Sequence, residues 1–247
     1  MKITNGLGML ELTIQGFTLN PTLIWDETMA LLIDTGVPGQ GKQIIEAIEK
    51  TGVPFEKLTA VILTHQDIDH VGSLPELLNL SANHIDVYAH KLDKPYIEGD
   101  FSLIKTDPSR MSKEAWASLP EGMKQIYANP PKSKVNHILE DEQYLPFFGG
   151  IQVIFTPGHT PGHISLYLKE SKTLIAGDSL VAAEGILHGP VERTTLDMDL
   201  AMKSISKFLD FEIDTVICYH GGLVNNNPLE QLKKLISPSA HERGKME

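Results

Sequence analysis

The segment from residue 65 to residue 70 concentrates side chains that can bind a metal or move a proton. Four imidazole or carboxylate groups fall within six positions, in the order His65-Gln66-Asp67-Ile68-Asp69-His70. The segment follows the apolar run 60–63, which predicts a buried strand. Buried carboxylates and imidazoles are costly unless they are paired or coordinated. This high local density of imidazole and carboxylate groups therefore predicts a loop that binds metal. The alternative is a solvated acidic loop.

Three further apolar runs end in a histidine or an aspartate. His159 lies in the turn TPGHTPGH, whose two Pro-Gly pairs can hold its ring in one pose. Asp178 follows Gly177, a small residue that allows close approach, and His220 follows the last apolar run. His163, at the start of the next strand, is expected to pack or hydrogen-bond nearby.

If these strand ends meet in the fold, a single site collects all of the groups. The candidate metal ligands are then His65, Asp67, Asp69, His70, His159, Asp178 and His220. Imidazole nitrogen and carboxylate oxygen, without thiolate, suit zinc, iron or manganese. Because the ligands of the first loop fan out in different directions, two ions side by side can share it.

Short strands and helices alternate in both halves of the chain, which predicts an α/β fold. The strand end at residues 32–36 is echoed at 174–179, which suggests a duplicated unit packed sheet on sheet with helices outside. Residues 91–135 carry scattered prolines and short helical patches. We interpret them as an insertion over one face of the core, either a lid or substrate wall or a plain surface excursion.

Bulk properties narrow the class of protein. A chain of 247 residues fits one domain with a core that needs no disulfide, and its only cysteine, Cys218, is predicted to lie in that core. The net charge of −11 disfavours nucleic acid as a partner. No apolar signal segment or membrane span is visible, so we expect a cytoplasmic protein that does not bind a membrane. Residues 237–247 are predicted to be a frayed tail.

The motifs resemble those of the metallo-β-lactamase-fold superfamily, over nearly the whole chain and in the same order. The family's patterns are an Asp after the third strand, H-x-H-x-D-H, P-G-H-T-x-G-H, a G-D strand end and a final His. They correspond here to Asp34, His65 through His70, His159, Asp178 and His220. The resemblance implies a four-layer αββα sandwich with the site along one edge of its two sheets.

The resemblance also implies how the ligands divide. One ion would be held by His65, Asp67 and His159, and the other by Asp69, His70 and His220, with Asp178 bridging. This sequence departs from the family at Asp67, where the motif has histidine. A carboxylate is a harder ligand than an imidazole, so it shifts the metal preference of that position toward iron or manganese, although zinc stays the expected metal. The alternative that Asp67 does not coordinate leaves a weak first position.

The resulting hypothesis is a metal-dependent hydrolase of a small substrate. A metal-bound hydroxide would attack an ester, thioester, lactone or amide, with Asp69 orienting the nucleophile and shuttling its proton. Asp34 would hold a ligand through hydrogen bonds. The family's acyl-homoserine lactonases often carry Tyr where this chain has Val181, so that particular substrate is not supported.

Three other functions stay open from the sequence. Asp67 fits a diiron oxidoreductase of the flavodiiron kind, whose members carry Glu at that position. A phosphodiesterase uses the same fold, and a non-catalytic member would bind a ligand or partner only. His90 and His188 are possible substrate-side groups, with an ordinary structural role as the alternative.

Overall fold

Strands from both halves of the chain form two mixed β-sheets in the computed structural model, which describes residues 1–14 and 16–237. In chain order the strands are β1 (Lys2–Thr4), β2 (Leu7–Met9), β3 (Leu12–Ile14), β4 (Phe17–Leu19), β5 (Thr22–Trp25), β6 (Ala30–Ile33), β7 (Leu58–Ile62), β8 (Asp86–His90), β9 (His137–Leu139), β10 (Tyr144–Leu145), β11 (Ile151–Phe155), β12 (Ile164–Leu168), β13 (Thr173–Gly177), β14 (Val181–Ala183), β15 (Ile186–His188), β16 (Thr215–Cys218) and β17 (Gly222–Val224).

Helices connect and flank the strands. They are α1 (Gly41–Lys50), α2 (Ile68–Val71), α3 (Leu74–Leu80), α4 (Lys94–Ile97), α5 (Lys113–Ser118), α6 (Glu121–Ala128), α7 (Met198–Ile205) and α8 (Pro228–Ile236). Short 3-10 turns lie at Phe55–Lys57, Pro108–Arg110, Glu192–Thr194 and Ser206–Asp210. No helix within the described ranges has both the length and the apolar character needed to cross a membrane.

Each sheet combines antiparallel and parallel pairs. The first has the order β1-β2-β5-β6-β7-β8-β9, and its strands from β6 to β9 pair in parallel. The second has the order β10-β11-β12-β13-β16-β17, with β13 and β16 parallel. Parallel strands end at the same edge of their sheet, so β6 and β7 deliver their following residues together, as do β13 and β16.

Three apolar clusters define four layers. Alternate residues of β6 face opposite sides, since Leu32 packs with Ile44 of α1 while Leu31 packs with residues of the second sheet. A third cluster joins the outer face of the second sheet to Ile205 of α7 and Leu232 of α8. The order is therefore helices, sheet, sheet, helices. The predicted αββα sandwich is confirmed, and Cys218 lies in the third cluster as predicted.

The sequence pattern predicts strands at residues 22–25, 86–90, 151–155, 164–168 and 173–177 and a helix at about 74–80. The observed β5, β8, β11, β12, β13 and α3 have these bounds. The strands predicted at 29–33, 60–63 and 215–219 correspond to β6, β7 and β16, whose ends differ by one or two residues. The hairpin of β14 and β15 was not predicted. Its turn is the pair Glu184 and Gly185, both at positive φ, and its strands are partly exposed, so they lack a run of apolar residues. Helix α2 was also missed, because it begins inside the polar motif. The predicted frayed tail lies outside the described residues from position 238 onward.

Candidate metal centre

The chemically interesting side chains lie at the ends of the strands that run in the same direction. Asp34 follows β6 and His65 lies just beyond β7 in the first sheet. Asp178 follows β13 and His220 lies just beyond β16 in the second sheet. Both parallel pairs end at the same edge of the two-sheet sandwich. Residues far apart in sequence therefore lie side by side at that edge.

One group of four residues surrounds a common point. His65, Asp67, His159 and Asp178 offer ligand atoms within 4.8 Å of one another. Oδ2 of Asp67 lies 3.3 Å from Nε2 of His65 and 3.0 Å from Nε2 of His159. Oδ2 of Asp178 lies 3.2 Å from the same His159 nitrogen. All four residues are buried or nearly so.

A second group lies beside the first. Asp69, His70 and His220 also offer ligand atoms within 4.8 Å of one another. Nε2 of His220 lies 3.3 Å from Oδ2 of Asp69, and Nε2 of His70 lies 3.8 Å from it. Asp178 reaches this group too, at 3.2 Å from Nε2 of His70 and 3.5 Å from Nε2 of His220. The structure thus brings together all seven predicted ligands, with Asp178 between the two groups.

Several polar atoms that face the centre of this cluster are unpaired. Within the described part of the chain, the buried Nε2 atoms of His65 and His70 and Oδ1 of Asp178 have no hydrogen-bond partner. The last two lie 3.2 Å apart but are not aligned for a hydrogen bond. Leaving such atoms unpaired is costly, and divalent cations would satisfy all of them. The residues present therefore fit a pair of metal ions.

The outer nitrogens of the histidines are held in place by hydrogen bonds. Asp34 accepts from Nδ1 of His70 at 2.9 Å and from the Thr64 backbone and hydroxyl at 2.8 and 2.7 Å. The same Thr64 hydroxyl lies 3.0 Å from Nδ1 of His65, and Thr195 lies 3.3 Å from Nδ1 of His159. These partners leave each Nε2 atom aimed at the centre. Sequence analysis singled out Asp34 but missed both threonines.

His163 helps to position Asp178. Its Nε2 accepts a 3.0 Å hydrogen bond from the backbone of Asp178, and its Nδ1 bonds the Thr156 hydroxyl. Gly177 has φ +57, and a Cβ there would lie 2.7 Å from Nε2 of His163. Only glycine combines this backbone conformation with so close an approach. The predicted structural role of His163 is therefore what the structure shows.

The metal-free electrostatics of the cluster favour cations. Burial lowers the pKa of His65 to about 4, so this ring is neutral at physiological pH. Burial acts the same way on His220, but the carboxylates of Asp178 and Asp69 together outweigh it and raise the pKa of His220 to about 10. Against the effect of burial, the histidines nearby hold the pKa of Asp178 well below its ordinary value. The proton on His220 therefore supplies positive charge to the cluster, and the binding of a divalent ion to this ring would release that proton.

Comparison with known proteins identifies the family. The profile described as Metallo-beta-lactamase superfamily matches residues 16–220. The chain belongs to the metallo-beta-lactamase superfamily. Among its relatives, the protein named Probable metallo-hydrolase YflN of Bacillus subtilis is 32% identical over 207 residues, which cover 77% of this chain and 75% of the relative. Hydroxyacylglutathione hydrolase GloC of Haemophilus influenzae is 28% identical over 215 residues, covering 83% and 85% respectively.

Solved structures of the superfamily share the fold. The metallo-beta-lactamase family protein TTHA1429 from Thermus thermophilus superposes with a TM-score of 0.74 at 20% identity, covering 98% of this chain and 81% of that one. TTHA1623 in a di-iron-bound form superposes with a TM-score of 0.62 at 27% identity, covering 93% and 98%. The αββα architecture deduced from the three apolar clusters is thus the fold of the superfamily.

A pocket of about 500 Å³ opens onto the cluster. Its floor includes Asp67, Asp69, Asp178 and His220, and part of its wall comes from the predicted insertion. The insertion contributes Leu103, Lys105, Thr106 and Tyr127. The segment therefore forms a wall of the pocket, and its movement as a lid stays a prediction. His90 and His188 do not line this pocket; His90 stacks on Phe155, with ring centroids 4.3 Å apart.

Asp93 ties together the two turns that carry His65 and His159, and sequence analysis missed it. Its carboxylate accepts hydrogen bonds from the backbone and side chain of Gln66, in the first motif, at 2.9 and 3.3 Å. The same carboxylate also accepts hydrogen bonds from the Thr160 hydroxyl and the Gly162 backbone, which belong to the turn of His159, both at 2.8 Å. Burial raises the pKa of Asp93 to about 6, although these hydrogen bonds oppose the shift. The turn of His159 is thereby held against the loop of His65.

The raised pKa of Asp93 makes the stability of the wild type depend on pH. The folded protein binds this proton more tightly than the unfolded chain, so its contribution to stability is complete below about pH 4 and is lost as the pH rises to about 6. We expect the unfolding free energy of the wild type, relative to Asp93→Asn, to fall by about 3 kcal/mol over that interval. Urea unfolding of both proteins in chelator measures the difference. A flat or rising difference would show that the hydrogen bonds outweigh burial.

Proposed function

We propose that this protein is a metal-dependent hydrolase that acts on a small substrate with two divalent ions. One ion would be held by His65, Asp67 and His159 and the other by Asp69, His70 and His220, and Asp178 lies within reach of both groups. The observation that carries the proposal is the set of buried, unpaired nitrogen and oxygen atoms that face one another at the strand ends. The hydrolase names of relatives such as GloC support it.

Bound divalent ions supply an acidified water and a Lewis acid at such a site. The side chains of the protein then orient the water and accept its proton. Burial would raise the pKa of Asp69, but His70 and His220 beside it lower it below the ordinary value. Asp69 is therefore ionised at neutral pH, and its side chain is 29% exposed on the floor of the pocket. It is placed to orient the attacking water and to accept its proton.

The pocket supports a proposal about the substrate class. Its volume of about 500 Å³ fits a small molecule. Phe17, Leu103 and Val191 contribute apolar lining, and Arg193 contributes positive charge. We infer a small ester, thioester, lactone or amide with an apolar portion. The net charge of −11 argues against a nucleic acid, and we propose a cytoplasmic location and no membrane partner.

Zinc is the proposed metal, with iron and manganese as alternatives. The Asp67 carboxylate makes the first group harder than one built from imidazoles alone. The di-iron form of TTHA1623, at 27% identity, shows that a relative binds iron. Metal content is therefore measured on protein purified without added metal.

Chelator treatment is expected to abolish hydrolysis, and zinc to restore it, because the ligand atoms alone cannot activate water. The measurement is kcat/KM on a panel of a para-nitrophenyl ester, a lactone, a thioester and bis(para-nitrophenyl) phosphate, before and after dialysis against chelator. Turnover that survives complete metal removal contradicts the proposal. Activity confined to the phosphate diester would assign the site to phosphodiesterase chemistry instead.

A diiron oxidoreductase is the second candidate, and the carboxylate of Asp67 in the first group is the observation that favours it. Two irons per chain, a visible absorption band that changes on reduction, and no hydrolysis across the panel would establish it. Zinc-restored hydrolysis by a colourless protein would reject it.

A further inference from the structure

A lysine of the insertion occupies the place of a cation in the first ligand group. The Lys105 ammonium hydrogen-bonds Oδ2 of Asp67 and lies 2.7 Å from Nε2 of His159. Those two atoms are themselves 3.0 Å apart and belong to the ligand atoms of that group. The Lys105 side chain is only 18% exposed. An ion bound to both atoms would have to stand where the ammonium stands.

The backbone around Lys105 is anchored, so its position does not depend on a mobile loop. Leu103 is buried in the first apolar cluster, and Thr106 is buried on the other side. The backbone of Ile104 donates a 2.9 Å hydrogen bond to Oε1 of Gln66. Since Gln66 lies between His65 and Asp67, the loop that carries the ligands also holds the lysine against them.

The charges of Asp67 and Lys105 compensate each other. The aspartate in the first group adds a negative charge that an imidazole would not, and the ammonium adds a positive one at the same point. In the second group, Asp69 pairs with His70 and His220 and, among the described ion pairs, with no lysine or arginine. The two groups therefore differ in one respect that matters for a metal: among the described ion pairs, only the first contains a lysine ammonium, which is tethered to the insertion.

We propose that Lys105 is an internal competitor for the first metal ion. The second group fills first, and the first group takes an ion only when the Lys105 ammonium leaves Asp67 and His159. The ammonium and a divalent ion exclude each other there because both are cations that need the same two ligand atoms. This inference rests on the metal centre proposed above and adds that the insertion makes its two positions unequal.

Zinc titration of chelator-stripped protein by isothermal calorimetry tests the competition. For the wild type we expect one tight and one weak phase. In Lys105→Met, which removes the charge and keeps an unbranched side chain one atom shorter, the weak phase should tighten by about 10- to 100-fold, because no charged hydrogen bond has to be broken. Lys105→Arg retains a competing cation and should resemble the wild type. Lys113→Met, at an exposed lysine of the same insertion, is the matched control.

Two ligand variants assign the phases. His220→Ala should remove the tight phase, and His65→Ala should remove the weak phase while leaving the tight one within about threefold. Far-ultraviolet circular dichroism and the unfolding temperature check that each variant is folded. The competition is overturned if wild type and Lys105→Met bind both ions with equal affinities, or if His65→Ala removes the tight phase. The absence of zinc binding in every variant would instead reject the metal centre itself.

Discussion

Replacing Asp178 with alanine is expected to lower kcat/KM by about 10³-fold and to reduce the bound metal below one ion per chain. Asp178 is the one described carboxylate that reaches both ligand groups. Its oxygens lie 3.2 Å from Nε2 of His159, 3.2 Å from Nε2 of His70 and 3.5 Å from Nε2 of His220. Without it, both positions lose a negatively charged ligand, and the positive charges of the two ions are no longer bridged.

Steady-state kinetics and elemental analysis of the purified variant measure the two effects. Asp178→Asn keeps the side-chain volume and separates the loss of charge from the loss of packing, and we expect it to fall nearly as far as alanine. Asp210→Ala, at an exposed position, is the matched control and should equal the wild type. If both Asp178 variants stay within about tenfold of the wild type, the measured turnover comes from another site.

Replacing Asp34 with alanine is expected to destabilise the fold by about 3–5 kcal/mol and to weaken metal binding by about 10- to 100-fold. The Asp34 carboxylate is 1% exposed and accepts three hydrogen bonds, from Nδ1 of His70 and from two donors of Thr64. Alanine would leave these buried donors without a partner and the His70 ring without its orienting group. Asp34 also has φ +64, a conformation that aspartate and asparagine tolerate better than alanine.

Urea unfolding and zinc titration test this variant. Asp34→Asn keeps the backbone preference and an acceptor oxygen for Thr64, so its stability loss should be smaller than that of alanine, while its metal affinity should still fall. A loss under about 1 kcal/mol for Asp34→Ala would show that the network does not hold His70. Equal effects of alanine and asparagine on stability would show that the left-handed backbone contributes nothing.

The strongest sequence signals were local, and they were the ones that the structure reproduces. Strands β12 and β13 are buried along their whole length, as their largely apolar sequences predict, and their bounds agree with the prediction. The hairpin of β14 and β15 lacks such a run and was missed. Thr64 is adjacent to His65, and an Asp67 in place of the usual histidine could have prompted a search for a compensating cation. Nothing around Lys105 in the sequence distinguishes it from other lysines.

By itself, the sequence determined the residue types of the cluster, their order along the chain and, through resemblance of the motifs, the superfamily. Those properties depend on residue identity and on short-range patterning, which the linear chain carries. Only the tertiary structure decided that Lys105 meets Asp67, 38 positions away, and that Asp93 joins the two motif turns. Such contacts depend on how the insertion packs across the strand ends, and packing is a property of the whole chain that no local pattern encodes.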